Sequence, residues 1–111
     1  MANYSVLIKS NAVAGREADF EQWYNSIHLG EVLALPGFLS GRQFRYPENS
    51  GGAFSHFALF EVESDDIEAT LTDLGEAFAS GKMTMTDALD VNTVPETIVC
   101  QATGTLQKQA A

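Results

Sequence analysis

His28, with Tyr24 four residues before it and Glu31 three residues after it, is the first group in this sequence suited to moving a proton. An imidazole titrates near neutral pH, so it takes and returns a proton without extreme tuning. On a helix the i−4 and i+3 positions bring side chains into contact. If that helix runs on past Gly30, Glu31 falls in the apolar stripe of Phe20 and Ile27, and a buried carboxylate needs a partner. His28 is the nearest one, and a carboxylate that orients an imidazole is a general-base arrangement. The alternative is a histidine favoured near a helix C-terminus by the helix dipole alone.

The other reactive side chains are few. His56, between Phe54 and Ala58, is either a second polar group in an aromatic pocket or a satisfied histidine of the core or of a subunit interface. Arg42 shares a strand face with Phe38, Ser40, Phe44 and Tyr46, where it would orient a carboxylate or phenolate, or close an interface ion pair. Tyr46 would donate to an anionic oxygen or pack the strand end, and Arg45 points the other way as a structural or solvated cation. Trp23, Phe20 and Ile27 read as core. The expected catalytic set is therefore His28, Tyr24 and Glu31, and the expected substrate-binding set is Arg42, Tyr46, His56, Trp23 and Phe44. Zinc sites take three or four protein ligands, and only His28, His56 and Cys100 are on offer besides carboxylates, so no metal is expected. No phosphate-cradling loop or nucleophile elbow is present.

The elements that must position these residues follow from periodicity. Tyr4 to Lys9 alternates as a first strand. Arg16 to about Leu29 reads as a helix with Phe20, Trp23, Tyr24 and Ile27 on one stripe, and Pro36-Gly37 stops the chain beyond it. Phe38 to Tyr46 is a second strand, Pro47 to Gly52 a turn, and Ala53 to Glu63 a third strand paired to the second as a hairpin. Ser64 and Asp65 cap a second helix, Asp66 to Ala79, striped by Ile67, Leu71, Leu74 and Phe78. Lys82 to Pro95 is a long connection, a lid if functional, and Thr97 to Thr103 is the last strand. This β-α-β-β-α-β order predicts an α+β ferredoxin-like sandwich on an antiparallel four-stranded sheet. One such domain is expected over residues 1–106, with 107–111 as a frayed tail.

Two helices cover only one face of that sheet. The third strand nevertheless places Phe54 and Phe60 on one face and Phe57 and Leu59 on the other. The second apolar face needs cover, and an identical chain is the simplest cover, so a homodimer through facing sheets is expected. With 111 residues there is no room for a separate cofactor domain. Fifteen acidic against six basic residues give a net charge of −9, which disfavours nucleic acid and anionic membrane surfaces. The lone Cys100, expected as a small buried strand residue, suits a reducing compartment. With no signal-like N-terminus and no membrane-length apolar run, a cytoplasmic protein is expected.

The run Trp23-Tyr24-x-x-x-His28, then Leu35-Pro36-Gly37-Phe38, then a strand carrying Arg42, Phe44 and Arg45, resembles the dimeric α/β-barrel superfamily, and within it the EthD-like branch. The resemblance implies two ferredoxin-like subunits paired sheet to sheet, each with a small pocket between sheet and helices, at which Tyr24 and His28 match pocket-lining positions. It implies a small apolar or aromatic ligand. Members include cofactor-free monooxygenases, polyketide cyclases, lactone isomerases and haem-degrading enzymes, and some have no demonstrated catalysis. The Asn, Trp and His of the haem-degrading branch stand on other elements, so that set does not carry over to Trp23 and His28. The leading expectation is a cofactor-free isomerase, cyclase or lyase acting on an aromatic, polyketide-like or lactone carbonyl compound. The alternatives are an oxygen-dependent cofactor-free monooxygenase, a non-catalytic dimeric binding module, and a haem binder.

Overall fold

The computed structural model describes residues 1–48 and 50–109; the end of the expected tail, 110–111, lies outside the described residues. Strand β1 (Ala2–Ser10) leads into helix α1 (Glu17–Trp23), a π-helical turn (Tyr24–His28) and helix α2 (Leu29–Leu33), which form one continuous rod. Strands β2 (Phe38–Arg45) and β3 (His56–Ser64), helix α3 (Ile67–Ala79) and strand β4 (Glu96–Cys100) follow. The sheet order is β2-β3-β1-β4 and every pairing is antiparallel, the ferredoxin-like α+β fold expected. The segment from Lys82 to Pro95 carries no helix and crosses the helix layer as a strap.

Register decides which side chains meet. Pairing Tyr4 with Val62, Val6 with Phe60 and Ile8 with Ala58 puts these six on the helix-covered face. There Val6, Ala58, Phe60 and Val62 form the core with Phe20, Trp23, Tyr24, Val32, Phe38 and Leu74. The opposite face carries Leu7, Phe57, Leu59, Arg42 and Phe44, with Phe44 stacked on Phe57 at 4.7 Å. That face has no helix over it.

Three local features depart from simple periodicity. The β2 register shifts between Phe38 and Ser40, so Phe38 turns into the core while Ser40, Arg42 and Phe44 stay on the open face. The N-cap of α3 is Asp66, whose carboxylate accepts from the Ala69 amide, with Ser64 Oγ accepting from the Asp66 amide. The expected Asp65 cap is thus displaced by one residue. Cys100, on the open side of edge strand β4, is exposed rather than buried.

The turn into β2 needs its glycine. Gly37 has φ +91°, and a Cβ there would stand 2.8 Å from the Glu63 carbonyl oxygen. No side chain fits that approach, which lets the Glu63 amide bond the Gly37 carbonyl at 2.8 Å and lock the turn to β3.

Candidate functional site

The π turn determines what the first helix shows to the sheet. At 3.6 residues per turn, Ile27 and Glu31 continue the stripe of Phe20, Trp23 and Tyr24. The Leu29 amide instead reaches back five residues to the Tyr24 carbonyl. One extra residue in the turn advances the phase by one position. His28 and Val32 therefore enter the core at 4% and 1% exposure, and Ile27 is turned out at 39%. The expected core position of Ile27 is corrected by this shift.

His28 sits in an aromatic box. Its ring stacks on Trp23 at 4.6 Å, meets Tyr24 edge-on at 4.7 Å and leans on Phe78 of α3 at 5.3 Å. Glu31 does not pair with it. The same phase shift swings that carboxylate to the strap, where it accepts from the Thr84 amide at 2.9 Å and from the Thr84 hydroxyl at 3.1 Å. Trp23 Nε1 donates to the Thr84 carbonyl at 2.8 Å, so Thr84 is held from both sides by the first helix. The strap is fastened again where the Val13 amide donates to the Ala88 carbonyl at 2.7 Å and where Arg16 pairs with Asp87 at 2.9 Å.

Beneath the strap lie two adjoining spaces. The smaller, about 60 Å³, is lined by Ser10, Trp23, Tyr24 and His28; the larger, about 410 Å³, by Leu71, Leu74 and Met85 among others. Ile8, Phe78, Leu89 and Pro95 line both, which makes them one polar-tipped apolar cavity. Among the described residues no charged side chain lines it. Its volume lies in the range of small-molecule sites, about 300–1,000 Å³.

The polar tip is unsatisfied. Among the described residues, the buried side-chain atoms without a hydrogen-bond partner are Ser10 Oγ, His28 Nδ1 and Gln43 Nε2. The first two belong to residues of the same small chamber. Buried polar atoms are normally paired, so two orphans at one tip mark a place for a ligand's polar group or for water. Ser10 escaped the sequence reading, although the alternation Tyr4, Val6, Ile8 puts this hydroxyl on the covered, apolar face.

Burial lowers the His28 pKa from 6.5 to about 4, with the charge of Glu31 opposing only in part. The imidazole is therefore neutral at pH 7 and accepts at one nitrogen. Burial raises the Tyr24 pKa, so its phenol stays protonated and donates. The histidine shift has a stability consequence. Below pH 6.5 the unfolded chain holds a proton that folded His28 refuses, so stability falls as pH drops, until the folded group titrates near pH 4. The gap corresponds to about 3 kcal/mol. Urea unfolding at a series of pH values should show this slope in the wild type and not in His28→Phe. Glu21, held at about 2 chiefly by Arg45, contributes in a lower window, from about pH 4.5 down to 2.

The remaining expected site residues are not gathered at this tip. Trp23 is there, as a wall. Arg42 and Phe44 lie on the open sheet face, with Arg42 stacked over Phe44 at 5.0 Å, and Tyr46 packs on Phe57 at 5.2 Å. The sheet separates this group from His28. His56 is buried on the helix side, but it lines a different cleft with Tyr46. Arg45 pairs with Glu21, in keeping with a structural cation.

The architecture and the covered, polar-tipped cavity define a ferredoxin-like α+β protein with a candidate small-molecule site between sheet and helices. Among solved structures the chain is similar to the haem degrader MhuD of Mycobacterium tuberculosis, at 15% identity and TM-score 0.67 over 94% of this chain and 99% of that one. It is similar to a dimeric ferredoxin-like protein from Jannaschia sp. CCS1, at 13% identity and TM-score 0.57 over 91% and 100%. It is also similar to HapK from Hahella chejuensis, at 16% identity and TM-score 0.54 over 96% and 99%. At such identities these likenesses establish the fold. No family model matches the sequence, and no curated protein matches it. Among the described residues no helix is long and apolar enough to cross a membrane.

Proposed function

We propose that this chain is one half of a homodimeric, cofactor-free enzyme of the EthD-like kind, acting on a neutral, largely apolar carbonyl or phenolic compound by proton transfer at His28. The observation that carries the reading is the pair of orphaned atoms, His28 Nδ1 and Ser10 Oγ, at the tip of an otherwise apolar cavity. A ligand with one polar end and an apolar body satisfies both. His28 Nδ1 accepts a proton from the carbon next to a carbonyl, or from a phenol, and returns it elsewhere on the same molecule. Tyr24 and Ser10 donate to the oxygen on which charge develops, and fixed donors in a dry site stabilise that charge strongly. Glu31 acts at a distance, its charge raising the basicity of the imidazole. Isomerase, cyclase and lyase reactions all use this proton traffic.

The low basicity of His28 favours a second reading, a dimeric binding module in which the neutral imidazole only accepts a hydrogen bond. A panel of aromatic lactones, alkyl phenols and polyketide-like carbonyl compounds, run with and without oxygen, separates the readings. The enzyme reading predicts turnover of at least one compound in the absence of oxygen. Turnover only with oxygen assigns the monooxygenase alternative, and binding without turnover assigns the module. Haem, the remaining alternative, is tested by adding haemin: a Soret shift that is lost in His28→Phe assigns it.

The homodimer rests on the uncovered face bearing Phe44, Phe57 and Leu59. Sedimentation at micromolar concentration is expected to give a dimer, and Phe57→Glu a monomer. A monomeric wild type would remove the second subunit from the proposal.

A further inference from the structure

A second constellation lies apart from the His28 cavity and shares no lining residue with it. Ser55 Oγ stands 2.6 Å from His56 Nδ1, and His56 Nε2 stands 2.7 Å from Glu21 Oε2. Arg45 grips the same carboxylate with two bonds of 2.6 Å. An ionised carboxylate only accepts, so Nε2 carries the imidazole proton toward Glu21 and Nδ1 offers its lone pair to the Ser55 hydroxyl. The Ala12 amide donates to Ser55 Oγ at 2.9 Å and fixes its direction. This is the wiring of a serine nucleophile, its base and an orienting acid. His56 is 1% exposed between a partly exposed Glu21 and a half-buried Ser55, which faces open clefts of about 510 and 860 Å³.

We propose that Ser55, His56 and Glu21 form an acyl-transfer centre for small neutral or cationic carboxylic esters. The cleft walls set the preference. Glu17 and Glu48 line it and disfavour an anionic ester, the charge of Arg45 is spent on Glu21, and the ring of Tyr46 suits an alkyl or alkylammonium group, that of Phe54 already facing Lys9 Nζ at 6.0 Å. Asn11 also lines both clefts, and the second N–H of its amide, beyond the one given to Asp90, is the donor for the oxyanion. As Ser55 Oγ bonds to the ester carbon, its proton passes to His56 Nδ1. Collapse breaks the bond to the alkoxy oxygen, and the alcohol leaves with that proton. Water then adds by the same route and frees Ser55 and the acid.

Labelling with diisopropyl fluorophosphate, read by intact mass and peptide mapping, tests the centre without requiring turnover at His28. One adduct per chain on Ser55 is expected, with none in Ser55→Ala. Glu21 is a positioning residue: Glu21→Gln should slow labelling by roughly 10- to 100-fold, and Glu21→Asp should recover part of the rate. A wild-type Ser55 that stays unlabelled while a serine protease in the same tube reacts to completion overturns the proposal. So does an adduct that maps elsewhere. An unchanged rate in Glu21→Gln overturns the role given to Glu21.

Discussion

Replacing His28 by phenylalanine is expected to slow turnover by about 10²–10⁴-fold, the usual worth of a proton-transferring group, while leaving the fold at least as stable as before. The two effects have separate physical origins. Phenylalanine keeps the stack on Trp23 and the contacts with Tyr24 and Phe78, so the aromatic box stays filled. It removes a buried nitrogen that has no partner, and leaving such an atom unpaired costs roughly 1–3 kcal/mol. At pH 7.5, urea unfolding should therefore show a neutral to stabilising change of up to about 2 kcal/mol. Steady-state rates on the best compound of the carbonyl and phenol panel should show the loss. A variant that retains full activity would remove His28 from the chemistry. One that is destabilised by several kcal/mol would make the histidine structural.

The largest stability effect is expected at Phe60. This ring is fully buried, stands edge-on to Phe38 at 5.9 Å, and lies on β3 between Val6 of β1 and Gly41 of β2. Phe60→Ala should cost about 3–5 kcal/mol by chemical denaturation. The same ring explains why residue 41 has no side chain. A Cβ at Gly41 would stand 2.8 Å from Phe60 Cε1 and 3.1 Å from Leu29 Cδ2. Gly41→Ala alone should thus be destabilising, and part of its cost should vanish when Phe60 is already alanine. The double-mutant cycle is expected to give a coupling of at least about 1 kcal/mol, because the two positions compete for one volume. Strict additivity would mean that the ring moves aside freely.

The alternation of Ala58, Phe60 and Val62, the Gly-rich hairpin and the split βαβ order made the architecture legible in the sequence. Both main misreadings near the site share one cause. A period of 3.6 assigns Ile27 and Glu31 inward, and a period of 2 assigns Phe38 to the face of Arg42. Each pattern assumes one residue per step, and the π turn and the β2 irregularity each add one. Neither Tyr24–His28 nor Phe38–Ser40 carries a proline that would announce the slip. Glu31 meets Thr84, 53 residues away, so no local spacing could reveal that bond. The separation of Arg42 and Tyr46 from His28 is a matter of sheet faces, and it became definite only with the register.

The π turn can also be viewed as chain length stored inside a helix. Phe20 and Trp23 before it, Tyr24 and His28 at its two ends, and Val32 after it present a continuous inner face. A chain lacking Ser26 would join the same two faces through a regular α-helical turn. The placement of the imidazole is then governed by the count of residues between two fixed faces, a discrete variable that substitution leaves untouched. In this helix, insertion and deletion are the changes that choose which side chain faces the cavity.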